Sequence, residues 1–151
     1  KYFKAKITRS LKDQYIQQWF SDLDSKEIFY NYRLFKSQLC FENFFNVLPE
    51  NLALTFVRFR TLNHRLPIQR GRVLGIPHNE RICPKCDCNE LGDEFHYVFK
   101  CPFFSEYRHR YLTKFFYRRP NVLKFHTLLN SKSKSRLTKL IAFLKVIMSS
   151  F

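Results

Sequence analysis

The sequence predicts a mostly α fold: one small basic helical domain over residues 1–151, organised around a cysteine–histidine cluster. Three observations predict it. Only 3 Gly and 6 Pro interrupt 151 residues, so helices on short links fit better than a turn-rich β sandwich. Hydrophobic residues make up 45%, with 18 Phe and 8 Tyr, which is enough for a packed core and argues against wholesale disorder. Apolar residues also recur at helical spacing in several separate segments.

Taken in order, Ser10 is placed to cap a helix to about Leu23, with Leu11, Tyr15, Trp19 and Leu23 on one face. The following stretch, KEIFYNYRLFK, alternates briefly and stays open between extended and helical. Pro49 to about Leu66 is the clearest helix, because Leu52, Phe56, Phe59, Leu62 and Leu66 share one face of a 3.6-residue repeat. Arg58 and Arg65 flank that face on one side, Arg60 and His64 on the other. Pro67 and Gly71 close the helix. The alternation of Val57 to Arg60 is too short to outweigh this with a strand. Gly71 to Ile82 reads as a loop, broken by Gly75 and Pro77. Asp93 is a cap for a helix over Glu94 to Lys100, with Gly92 supplying the turn before it. Pro102 starts another helix, to about Tyr117. Its face of Phe104, Tyr111, Leu112 and Phe115 is interrupted by Arg108. A last amphipathic helix spans about Ser135 to Met148.

The net charge is +15, from 27 Lys and Arg against 12 Asp and Glu. No acid occurs from Asn51 to Asn79 or from Tyr107 to Phe151. A folded surface of one sign repels itself unless a polyanion neutralises it, and nucleic acid is the leading candidate. No run reaches the 18 or so apolar residues that a membrane span needs. The basic residues Lys1, Lys4, Lys6 and Arg9 interrupt any signal-peptide pattern. Starting on Lys1 without Met, the chain reads as a piece of a longer protein.

Four of the five cysteines lie between Cys83 and Cys101, in CPKCDCNELGDEFHYVFKC. That is poor spacing for a disulfide framework, and it points to a reducing compartment. Cys83 and Cys86 form a C-x2-C pair, and His96 and Cys101 complete a set with metal-ligand spacing. The expectation is one structural zinc ion on Cys83, Cys86, His96 and Cys101. A strict helix would carry Cys101 around the cylinder from His96, but Pro102 disfavours helical geometry there and lets the thiolate swing back. Cys88 is an alternative to Cys86 or Cys83. The fold class is therefore a small mostly α domain organised around a structural zinc knuckle with two cysteines, a histidine and a third cysteine as ligands, the knuckle covering about residues 81–104. Four protein donors leave no open position for a catalytic water. Isolated Cys40 reads as a small core residue, and His64, His78, His109 and His126 as local hydrogen-bonding groups.

The stretch RTLNHRLPIQRGRVLGIPHNERICPKC, followed by GDEFHYVFKCPFF, resembles the C-terminal region of LINE-type (non-LTR) retrotransposon polyproteins. That region carries a CCHC zinc knuckle downstream of a reverse transcriptase. The match lies in the Arg-rich segment Arg58 to Arg72, in Asp93 and Glu94 before His96, and in Cys101-Pro102. It covers about residues 41–112, and Cys88 is an addition to the pattern. The resemblance implies a nucleic-acid-binding part of a reverse transcriptase and endonuclease polyprotein. Such a part holds RNA template or target DNA during target-primed reverse transcription, in the nucleus or a cytoplasmic ribonucleoprotein. No two Asp are adjacent, so the polymerase signature is absent and the chain is not expected to be an enzyme. Its partners would be RNA or DNA and the rest of the polyprotein, with no membrane.

Expected phosphate contacts are Arg58, Arg60, Arg65, Arg70, Arg72 and Arg81 around the knuckle, then Arg108, Arg110, Lys114, Arg118 and Arg119. Tyr97 and Phe103 are candidates for stacking on unpaired bases, against core packing as the plainer role. The alternative is a protein-interaction module docking on a polymerase or host factor. A nuclease ranks last, because the acids form no clear cluster outside the knuckle.

Overall fold

The computed structural model describes residues 2–26, 29 and 31–151. The chain separates by compactness into two units, Lys1–Phe41 and Glu42–Phe151.

In the first unit, α1 is one helix of 24 residues, Tyr2–Ser25. Ser10 lies inside it rather than at a cap. Neither Gly nor Pro occurs in this stretch to stop the helix from running through. Of the expected face only Leu23 is buried, while Leu11 and Tyr15 are exposed. In KEIFYNYRLFK, Glu27, Ile28 and Tyr30 lie outside the described residues, and Tyr32–Leu34 form a single 3-10 turn. Cys40 is exposed and not a core residue. Its carbonyl accepts from Lys36 Nζ at 2.9 Å, a polar setting rather than an apolar one.

The second unit is mostly helical. Its elements are α2 (Phe44–Val47), α3 (Glu50–Arg60), α4 (Pro67–Val73), α5 (Ser105–Tyr111), α6 (Lys114–Tyr117), α7 (Val122–Leu129) and α8 (Lys134–Ser149). Among the described residues the sole β feature is an isolated antiparallel bridge, Ile82 to Leu91. The helix α8 is the central post. Leu137, Leu140, Ile141, Phe143, Leu144 and Ile147 are all fully buried against α2, α3 and α5. Ser133 caps it by accepting from Arg136 N.

Three differences from the expected elements have physical reasons. The helix α3 stops at Arg60, and the chain turns through Leu62 at φ 60 with Asn63 N closing on the Arg58 carbonyl at 2.9 Å. Leu62 and Leu66 stay buried, as their periodicity requires, but from a corner and not from a helix. Pro67 then begins α4 at its first turn, where a missing N–H costs nothing. The helix after Pro102 is split into a 3-10 turn at Pro102–Phe104, α5 and α6, with Leu112 extended between the last two. The helix α7 has no counterpart in the expected set. Its signals were local all the same: Asn121 accepts from Lys124 N at 2.9 Å, and Phe125, Leu128 and Leu129 are buried on one face.

Candidate metal centre and basic surface

The cysteine–histidine cluster is built on a short hairpin-like turn and an unusual helical turn. Around the Ile82–Leu91 bridge, Cys83 N donates to the Glu90 carbonyl at 2.9 Å and Gly92 N to the Arg81 carbonyl at 2.8 Å. The turn between holds Cys83 and Cys86, and Lys85 N approaches Cys83 Sγ at 3.4 Å, so a backbone amide faces the sulfur. Asp93 caps the following helix as expected, its Oδ1 accepting from His96 N at 2.7 Å.

From His96 to Lys100 the chain is a π turn, with Cys101 N donating to the His96 carbonyl at 2.8 Å. An i→i+5 turn holds more residues per revolution than an α turn, so residues five apart return to one side. Cys101 itself is extended, φ −50 and ψ 119, ahead of Pro102. The sequence located the place where the helix must yield. The π turn is how it yields.

Cys83, Cys86, His96 and Cys101 consequently converge, with their ligand atoms all within 4.8 Å of one another, and could hold one metal ion. Cys83 Sγ lies 3.9 Å from Cys101 Sγ, and Cys86 Sγ lies 3.4 Å from His96 Nε2. Cys88 is exposed and outside the cluster, and Cys86 is the residue that joins it. Behind the donors, Glu90 Oε2 sits 3.0 Å from His96 Nδ1. An ionised carboxylate only accepts, so Nδ1 carries the ring proton and Nε2 turns its lone pair toward the cysteines. Lys100 Nζ holds both Glu90 oxygens at 3.1 Å. Burial alone would raise the Glu90 carboxyl. The hydrogen bonds from His96 and Lys100 outweigh it and keep the group below its ordinary value.

Burial and then the neighbouring Cys83 sulfur push the Cys101 thiol up to about 12. Burial and Cys83 also raise the Tyr97 phenol, so it stays neutral. Three thiols this close cannot all ionise without a cation among them. Gly92 is needed for space and not for its turn: a Cβ there would lie 2.6 Å from the Tyr97 hydroxyl and 2.9 Å from Pro67 Cβ.

The basic residues divide into two kinds. Arg60, Arg81 and Arg108 are buried, so the expectation that they contact phosphate is corrected here. Arg60 donates to the Leu129 carbonyl at 2.6 Å and to Glu42 at 3.1 Å. Arg81 donates to the Ile76 carbonyl at 2.9 Å and to that of Ile68 at 3.4 Å. Arg108 braces the metal loop, donating to the carbonyls of Val98 (2.8 Å), Tyr97 (3.3 Å) and Cys101 (2.8 Å). Tyr97 is likewise fully buried and cannot stack on a base, whereas Phe103 is exposed.

Arg58, Arg65, Arg70, Arg110, Lys114, Arg118 and Arg119 are exposed, and Arg72 is half-buried. Arg65, Arg70 and Arg72 line a concavity of about 450 Å³ at the α3–α4 corner. Arg58, Arg65 and Lys145 line its neighbour of about 410 Å³. Lys114, Arg118, Arg119 and Lys124 line another of about 430 Å³ around Phe115. No Asp or Glu side chain lines any of the three, and Phe151 also lines the first. Sequence reasoning missed Glu90, Lys100 and the His64–Glu94 pair. In that pair His64 Nε2 lies 2.9 Å from Glu94 Oε1, both side chains fully buried. Among the described residues, no helix is long and apolar enough to cross a membrane. No family model, curated protein or solved structure matches the chain.

Proposed function

We propose that the chain is a zinc-stabilised nucleic-acid-binding module of a larger reverse transcriptase polyprotein, one that grips RNA or DNA and does no chemistry itself. The observation that carries the reading is the set of basic concavities with no Asp or Glu side chain in their lining, on a chain of net charge +15. Cation-lined hollows match a phosphate backbone, and each neutralised phosphate releases counterions. Arg65, Arg70, Arg118 and Arg119 offer planar forks suited to phosphate oxygens.

The donor chemistry supports zinc as the ion. Zinc–sulfur bonds of about 2.3 Å and zinc–nitrogen bonds of about 2.0–2.1 Å make a tetrahedron whose S–S and S–N edges are roughly 3.8 and 3.5 Å. Two of the six donor separations, 3.9 and 3.4 Å, match these edges, and all six lie within 4.8 Å. Four protein ligands fill that tetrahedron, and Glu90 orients His96 from behind, so the ion is a structural strut. Its part is to fix the knuckle, against which the Arg-rich corner packs: Ile68 N donates to the Gly92 carbonyl at 3.1 Å.

A second reading, docking onto another protein, draws on α1, where Phe3, Ile7, Leu11 and Tyr15 form an exposed apolar stripe. Fluorescence anisotropy of labelled RNA and DNA oligonucleotides against salt separates the two. Nucleic-acid binding predicts an affinity that falls linearly on a log–log plot, by about 0.7 per phosphate contact for a single strand. Absence of affinity at low salt would leave the docking role alone.

A further inference from the structure

Resting on the nucleic-acid reading above, we propose that the concavity at the α3–α4 corner is a nucleotide site, taking one phosphate-and-base unit from a single strand. Its volume, about 450 Å³, falls in the range of small-molecule sites. Its walls are amphipathic in the way a nucleotide is. Arg65, Arg70 and Arg72 supply cations, and Leu62 and Val73 supply apolar surface. Gln69 Oε1 steadies Arg72 by accepting from its Nε at 3.3 Å.

His64 adds the polar specificity. Its side chain is 1% exposed, it lines the concavity, and its Nδ1 has no hydrogen-bond partner within the protein. Nε2 lies 2.9 Å from Glu94 Oε1, and neither ring nitrogen makes a hydrogen bond by geometry within the protein. A buried polar ring with unmet nitrogens is costly, and the donors and acceptors of a nucleobase supply partners for it. In a duplex the bases are paired and stacked, so only an unpaired base enters such a hollow. The adjoining concavity shares Asn63, His64 and Arg65 and presents Arg58 and Lys145 to the next phosphate of the strand.

The test uses the zinc-loaded chain, a labelled twelve-nucleotide oligouridylate, and a duplex of the same length. Val73 is 74% exposed, so Val73→Trp fills the hollow without disturbing the core or the charge. That variant is expected to bind the single strand roughly five- to 150-fold more weakly, the loss of one stacked base, with duplex affinity unchanged. Arg118→Ala, in a different concavity, is expected to weaken both probes alike. In methyl NMR, uridine 5′-monophosphate is expected to shift Leu62 and Val73 saturably, and inorganic phosphate to leave them in place. The proposal is overturned if Val73→Trp leaves single-strand binding intact, or if inorganic phosphate reproduces the shifts. Either result leaves the nucleic-acid reading standing. No binding of either oligonucleotide at low salt removes that reading, and this site with it.

Discussion

Arg108→Lys keeps the charge and removes the fork. Lysine cannot donate to the three carbonyls of Tyr97, Val98 and Cys101 that the guanidinium bridges over 2.8–3.3 Å. These carbonyls lie in the metal loop, where Tyr97, Val98 and Cys101 are each fully buried, so water does not replace the lost donors. An unmet buried acceptor costs about 1–3 kcal/mol, and hydrogen bonds from a charged donor sit at the upper end. Burial already pulls the Arg108 guanidinium below its usual value, so desolvation of the cation offsets part of the gain. With one donor of the lysine still in reach and some relaxation, the net loss is about 3–5 kcal/mol. For a unit of this size that corresponds to a fall in melting temperature of about 12–20 °C. Arg110→Lys, on the exposed side of the same helix, is the control and should change stability by no more than about 0.5 kcal/mol. Urea denaturation of both zinc-loaded variants decides it. Equal midpoints for the two would refute the bracing role and return Arg108 to the surface.

Other perturbations follow from the same geometry. Glu90→Gln removes the carboxylate behind His96 and the Lys100 pair, and should weaken zinc binding by about 10- to 100-fold in a chelator competition. Gly92→Ala drives a methyl into Tyr97 and Pro67, neither free to retreat, and should cost about 1–3 kcal/mol in thermal melts. Cys88→Ser should leave the metal content unchanged while Cys86→Ser lowers it, as read by elemental analysis. Zinc addition in weak buffer near neutral pH should release protons, because Cys101 holds its own until a cation arrives. A silent indicator dye would contradict that.

The candidate metal site was legible because its possible donors are close in sequence and restricted in kind. Cys83, Cys86, His96 and Cys101 span 19 residues, and few other roles demand that spacing. Helical periodicity likewise found α8 to within a residue at either end. What spacing does not encode is which arginine faces inward. Arg58 and Arg60 are two residues apart in one helix, yet one is exposed and the other is spent on Leu129 and Glu42. That assignment depends on partners far along the chain. The same holds for His64 and Glu94, thirty residues apart, whose pairing is set by how the corner packs on the knuckle. The early end of α3 has a similar origin: Leu62 takes a left-handed backbone so that it, like Leu66, can stay buried. Periodicity registers only the burial.

X-ray absorption at the zinc edge, on the purified chain loaded with one equivalent of zinc, tests the convergence of the donors most directly. Three sulfurs at about 2.3 Å and one nitrogen at about 2.0–2.1 Å are the predicted shell. A shell of oxygen and nitrogen alone, or a chain that retains no zinc through gel filtration, would contradict the account.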